Sequence, residues 1–227
     1  MHKLALVWLA AWALAGAEAA MANAEGSAGN QVRLVIIGAS YAKGWQPDLP
    51  GYEVINKGVG GEETHQVRER FERDALALEP QAVLIWGHIN NIHRSPPGQM
   101  ASTIEKAKAD YIDMVSRGKA AGVQVILATE VTLSEAVGFM NRVAAFVGKL
   151  RGKQGYNDRI NEQVRALNEW LRGYAREQGL QLLDFEKVFD DGRGFRKVEY
   201  SSEDGSHISR EGYAALTKYA RSQLRAR

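Results

Sequence analysis

The 227-residue chain contains no cysteine. That absence excludes disulfides, thiolate nucleophiles, cysteine metal centres and a lipidated cysteine near the N-terminus. A dominant charge is also missing. Lys and Arg number 29 against 27 Asp and Glu, and the resulting net charge of +2 argues neither for nor against polyanionic partners. No nucleic-acid partner is expected. Beyond the N-terminal segment there are no internal repeats and no low-complexity blocks. No later segment reaches the ~20 apolar residues that a membrane-spanning helix needs.

The one long apolar run lies at the N-terminus. Lys3 supplies a short basic start, residues 4–15 are Leu, Ala, Val and Trp, and small-x-small sites follow at Ala17-Glu18-Ala19, Ala20-Met21-Ala22 and Ala22-Asn23-Ala24. This is the pattern of a cleaved secretory signal. An uncleaved anchor is the alternative, but the run is short for a bilayer. The expected organisation is a signal peptide over 1–24 and one domain over 25–227, periplasmic or secreted and without stable membrane insertion after cleavage. Export of a chain without disulfides fits a bacterial periplasm or culture medium. With 45% apolar and 25% charged residues, one globular domain with a full core is expected.

Short apolar runs predict strands over 33–38, 52–56, 82–86, 123–128 and 180–184. Helical patterns fall between them, over 64–78, 102–121, 157–178 and 209–224, the last with Ser209 as N-cap. Alternating strands and helices predict a three-layer α/β/α sandwich on a mostly parallel five-stranded sheet, with ligands gathering at the C-terminal strand ends. Residues 132–154 exceed a simple strand-to-helix link. Phe139, Val143, Phe146 and Leu150 recur there at helical spacing, with Lys149, Arg151 and Lys153 at the end. They read either as an extra surface helix or as a rim over a site.

Four segments at predicted element boundaries carry chemistry. The first, Gly38-Ala39-Ser40-Tyr41, ends the first strand with a candidate nucleophile. A glycine there lets the backbone turn and present a hydroxyl. Asn56 to Thr64 includes Gly58, Gly60 and Gly61 and opens a helix, so its backbone N–H groups suit an oxyanion hole. The same loop reads equally as a plain turn. A phosphate loop is disfavoured, because Lys-Ser/Thr is missing and Glu62 and Glu63 oppose an anion. The third segment, Gly87-His88-Ile89-Asn90-Asn91, offers side-chain amides that can donate to an oxyanion or cap the loop. His88 and His93 share no helix face and no acidic cluster joins them, so no metal is expected. In the fourth, Asp204-Gly205-Ser206-His207, the Asp can orient the imidazole through Nδ1 and leave Nε2 free for a serine. The bland alternative is an Asp-Gly turn before a helix.

These four blocks, in this order from about Val32 to Tyr213, resemble those of the SGNH hydrolases, also called the GDSL esterase/lipase family. The resemblance implies a flavodoxin-like α/β/α sandwich and a serine hydrolase without cofactor. It assigns Ser40 as nucleophile, Asp204 and His207 as the other triad members, and Ser40, Gly61 and Asn90 as the oxyanion hole. Tyr41, His88 and Asn91, which adjoin these positions, are expected to bind substrate. The first block reads Gly-Ala-Ser-Tyr where the family usually has Gly-Asp-Ser-Leu. The third has one more residue before Asn90, and Asn91 replaces an Asp, which leaves Asn90 and Asn91 both open as the donor.

The expected activity is hydrolysis of carboxylic esters, with short, acetyl-type acyl groups on a small-molecule or glycan alcohol. Transfer of the acyl group to a sugar hydroxyl and a non-catalytic carbohydrate-binding role are the alternatives. The oligomeric state is left open.

Overall fold

The computed structural model describes residues 31–135 and 155–224. Its sheet contains β1 (Val32–Gly38), β2 (Tyr52–Gly58), β3 (Ala82–Trp86), β4 (Gln124–Ala128) and β5 (Gln181–Leu183). They lie in the order β2-β1-β3-β4-β5, and every neighbouring pair is parallel. The chain goes from β1 to one side and then returns to the other, so the order reverses at β1. In open α/β sheets that reversal is where ligands bind.

The strands are apolar throughout because both faces are covered. Along β1, Leu34 and Ile36 enter one core while Val35 and Ile37 enter the other. All four are fully buried, each worth roughly 1.5–3 kcal/mol of transfer free energy. One face carries α1 (Ser40–Gly44), α7 (Phe185–Phe189) and α8 (Arg210–Gln223), which bring Trp45, Phe185, Phe189 and Leu216 into contact with Leu84 and Trp86. The other face carries α2 (Thr64–Glu69), α3 (Phe71–Asp74) and α5 (Met100–Ala120), with Val67, Phe71, Tyr111 and Met114 against Val83 and Ile85. Two further helices complete the described set, α4 (Ile89–Arg94) and α6 (Tyr156–Gln178).

The single helix expected over 64–78 is broken. Arg70 and Ala75 leave helical geometry, separating α2, α3 and a 3₁₀ turn over Leu76–Leu78. The first break falls at Arg70, whose buried side chain turns inward to the strand ends. Ser209 caps α8 as expected, its hydroxyl accepting the Gly212 N–H at 3.1 Å. Of residues 132–154, only 132–135 lie among those described, and there Thr132, Leu133 and Ser134 are buried. The stripe from Phe139 to Leu150 lies outside the described residues.

Two buried asparagines on α6 fix the chain leaving β4. The Asn168 side chain pairs with both the N–H and the carbonyl of Glu130, each at 2.8 Å. Asn161 does the same for Leu133, at 2.7 and 3.0 Å. Seven residues apart, they stand on one helix face. Each satisfies a peptide that has left the sheet and would otherwise be buried without partners.

Candidate active site

The ends of three strands are level. Gly38 pairs with Gly58 on β2 and with Trp86 on β3. The loops that follow carry Ser40, Gly61 and Asn90, so register alone brings these three to one end of the sheet. Glycine is required at 38 chiefly by close approach: a Cβ there would stand 1.7 Å from the Trp86 carbonyl oxygen. Ser40 then opens α1, half-buried, in the turn whose amides have no intrahelical acceptor. Among the described residues its Oγ makes no hydrogen bond.

Gly61 adopts φ +81°, a left-handed conformation that favours glycine. Its loop is held from beneath by Arg70, which is 6% exposed. That guanidinium donates to the Gly38 carbonyl at 3.1 Å and the Lys57 carbonyl at 2.8 Å, and pairs with Glu62 at 2.6 Å. Asn56 adds a second tie: its amide donates to the carbonyls of Ala42 and Trp45 at 2.7 and 2.6 Å, while its oxygen accepts the Gly58 N–H. Arg94 closes the outer side, donating to the Gly61 carbonyl.

Asn90 and Asn91 differ in employment. Asn90 is half-buried, and its Nδ2 donates to the Glu62 carbonyl at 2.8 Å, one residue beyond Gly61. Asn91 is buried, and both ends of its amide engage Thr64: Oδ1 accepts the Thr64 N–H and Nδ2 donates to the Thr64 hydroxyl, each at 3.0 Å. Asn91 is therefore held inside the protein by Thr64, whereas Asn90 lies nearer the surface.

His88 also departs from the expected substrate role. It is fully buried, its Nδ1 lies 3.2 Å from the Tyr111 hydroxyl, and burial pushes its pKa down to about 3. His93 lies apart from it, 2.7 Å from the Tyr156 hydroxyl. Beneath His88 sits the buried Glu130 carboxylate. One oxygen accepts the N–H groups of His88 at 2.8 Å and Ile89 at 3.2 Å, and the other accepts its own neighbour's, Val131. Burial raises the Glu130 pKa, and these three donors oppose the rise. The carboxylate thus fixes the start of α4, which carries Asn90.

Asp204 and His207 form a close pair, with Oδ2 of the acid 2.6 Å from Nδ1 of the imidazole. Oδ1 of Asp204 accepts the N–H groups of Ser206 and His207 at 2.8 and 2.9 Å. One carboxylate therefore both shapes the turn and orients the ring. The His207 N–H, then the imidazole, hold the Asp204 carboxyl well below the usual carboxylate range. The side chains of His207 and Asp204 are 56% and 51% exposed, so the pair is open to solvent.

Tyr41, the third expected substrate contact, is an internal support instead. It is 4% exposed, its hydroxyl donates to the Ser206 carbonyl at 2.6 Å, and its ring meets the His207 imidazole edge-on with centroids 6.4 Å apart. These contacts bring the His207 turn to the residue next to Ser40. Among the described residues, no group of three or more His, Asp or Glu is arranged to hold a metal ion.

Sequence reading missed Asn56, Arg70, Glu130, Asn161, Asn168 and Arg196, all of which hold backbone rather than face solvent. Glu130 had a signal, an acid directly after an apolar strand in Ala128-Thr129-Glu130-Val131.

No curated protein sequence matches this chain. Solved structures do. One is a protein described as lipolytic, of the G-D-S-L family, from Desulfitobacterium hafniense DCB-2, 22% identical, covering 86% of this chain and 100% of that one at a TM-score of 0.67. An acylhydrolase from Bacteroides fragilis NCTC 9343 is 24% identical, covers 86% of each chain and has a TM-score of 0.64. A catalytic mutant of Axe2, an acetylxylan esterase from Geobacillus stearothermophilus, is 18% identical, covers 88% of this chain and 99% of that one and has a TM-score of 0.59. At these identities the likeness is one of fold. The family itself is established by sequence, since the profile of the GDSL-like lipase/acylhydrolase family matches residues 27–215. The chain belongs to this family and is a carboxylic ester hydrolase.

Proposed function

We propose that the chain is an exported serine esterase that cleaves short, acetyl-type acyl groups from a larger alcohol such as a glycan. The observation that carries the reading is the 2.6 Å Asp204–His207 pair in a turn tied to Ser40's neighbour by the Tyr41 hydroxyl. His207 Nε2 takes the Ser40 proton as Oγ bonds to the ester carbonyl carbon. The developing oxyanion is stabilised by the N–H groups of Ser40 and Gly61 and by the Asn90 amide. Asn90 has two N–H bonds on Nδ2, so donation to Glu62 leaves one for the oxyanion. The intermediate collapses, the C–O bond to the alcohol breaks, and His207 returns its proton to the departing oxygen. A water then gives its proton to His207 and its oxygen to the acyl carbon. The acid is released and Ser40 regains its hydrogen.

Two features support a small acyl group on a bulky alcohol. The base and its acid are half exposed, which suits an open site that a polymer can approach. The same fold serves an acetylxylan esterase. Export rests on the N-terminal pattern, with a signal peptide over 1–24 and the enzyme domain over 25–227. Among the described residues no helix is long and apolar enough to cross a membrane.

The test combines two measurements. A fluorophosphonate probe should label the protein and fail to label Ser40→Ala. Acetyl esters, including acetylated glycans, should be turned over faster than octanoyl esters. Labelling that persists in Ser40→Ala overturns the nucleophile, and a preference for octanoyl overturns the acyl assignment.

A further inference from the structure

Arg196 is the least expected residue in the interior. Its side chain is 1% exposed, and Nε and Nη1 have no hydrogen-bond partner among the described residues. Its side-chain hydrogen-bond partners among those residues are carbonyls, and none is a carboxylate. A buried guanidinium without an acid partner is costly, and its retention calls for a specific use. Its hydrogen bonds run to one place. Nη2 donates to the carbonyls of Gly205 at 3.2 Å and Ser206 at 2.9 Å, inside the turn that ends in His207. The guanidinium also lies over the Tyr41 ring, 5.7 Å from its centroid.

The Ser206 carbonyl thus accepts from both Arg196 and the Tyr41 hydroxyl. The Gly205 carbonyl accepts from Arg196 and from Ser134 Oγ at 3.2 Å. Opposite these donors, Asp204 accepts the turn's N–H groups. The peptide units before His207 are therefore gripped from both sides. Arg196 is itself anchored, its N–H donating to the Leu133 carbonyl at 3.1 Å. The grip joins the segment after β4, the His207 turn and the first turn of α1. A leucine after the nucleophile, as in Gly-Asp-Ser-Leu, has no hydroxyl to make the Tyr41 bond.

We propose that Tyr41 and Arg196 are positioning residues that act together as a strut, holding the His207 imidazole in register with Ser40. Neither touches substrate. The proposal rests on the reading of Ser40 and His207 as nucleophile and base. Loss of the strut lets the imidazole wander without changing what the substrate meets, so kcat falls and KM stays.

The test uses purified full-length protein and three variants, Tyr41→Phe, Arg196→Lys and the double variant, each assayed well below its own melting temperature. Tyr41→Phe keeps the ring and removes one hydrogen bond. Its kcat should fall about tenfold, the rate equivalent of an ordinary hydrogen bond, with KM unchanged. Arg196→Lys keeps the charge but not the two-carbonyl grip, and should lose as much or more. The double variant should lose less than the product of the single effects, because both act on one carbonyl. The downfield proton resonance of the Asp204–His207 pair should broaden in each. If Tyr41→Phe keeps wild-type kcat and the same sharp resonance, the strut is overturned, whether or not Arg196→Lys folds. An unlabelled, inactive wild type would instead sink the Ser40–His207 reading on which the strut depends.

Discussion

The Asn90 side chain donates to the Glu62 carbonyl across 2.8 Å, so the turn after β3 is bonded to the loop after β2 one residue past Gly61. Asn90 is thereby held against the Gly61 loop, while its neighbour Asn91 is engaged with Thr64. The two asparagines should separate by experiment. Asn90→Ala is expected to lower kcat by about 10²–10³ with KM little changed, the loss found for a single oxyanion donor. Asn91→Ala is expected to lower stability by about 1–3 kcal/mol, through the unpaired Thr64 N–H, and to spare kcat. Steady-state kinetics and urea unfolding on both variants check this, and an exchange of the two phenotypes would move the donor by one residue.

Replacing Asp204 should reveal its two tasks. Ser40→Ala and His207→Ala should each remove nearly all turnover. Asp204→Asn keeps an oxygen for the Ser206 and His207 amides but loses the charge that stabilises the imidazolium. Asp204→Ala loses the turn as well. Turnover should rank Asn above Ala at this position, and equal rates for the two would show that Oδ1 does not shape the turn.

Glu130 should matter for both folding and rate. Glu130→Ala leaves the His88 and Ile89 N–H groups buried without an acceptor. Each such loss costs about 1–3 kcal/mol, and α4 is free to shift with Asn90 on it. A lower urea midpoint together with a fall in kcat is expected, with Glu130→Gln intermediate because one acceptor oxygen remains. A destabilised Glu130→Ala with wild-type kcat would separate the carboxylate from the oxyanion hole.

Acid sensitivity of the fold should trace partly to His88. Its pKa is pushed down by burial from 6.5 to about 3. As the pH falls below 6.5, the unfolded chain gains a proton that the folded chain refuses. Stability contributed by the neutral ring is therefore lost from that point down to about 3, by at most about 1.4 kcal/mol per pH unit. Glu130, with its pKa raised, works in the opposite sense over part of the same range. His88→Gln removes the first effect and leaves the second. Between pH 6 and 4 its urea midpoint should fall less steeply than the wild type's, and parallel profiles would clear His88.

The fold was legible because its signals are local. Runs such as Leu34-Val35-Ile36-Ile37, alternating with helical patterns, fit strands covered on both faces, and Ser209 capped the helix it was expected to cap. The break at Arg70 was not legible, since Val67, Phe71 and Ala75 keep helical spacing across it. What ends the helix is a guanidinium reaching carbonyls on other elements. The same limit applied at the site. Block order pointed to Ser40, Gly61, Asn90, Asp204 and His207, whereas exposure could not be read from residue type. Tyr41, His88 and Asn91 look like side chains for a substrate, and each turns inward because a particular backbone or side-chain partner lies 2.6–3.2 Å away. Arg196 in Gly194-Phe195-Arg196-Lys197 resembles any surface cation until the carbonyls of Gly205 and Ser206 close over it.

The hydrogen bond from Tyr41 to Ser206 spans 165 positions of the chain. On the proposed assignment of Ser40 and His207, a ribosome makes the nucleophile early and its base almost last. On that assignment, the growing polypeptide holds throughout translation a serine with no partner to activate it. A product truncated before Asp204 would be chemically silent, whatever else had folded. Timing of this kind would spare the cell's own esters until the whole polypeptide has been made and folded.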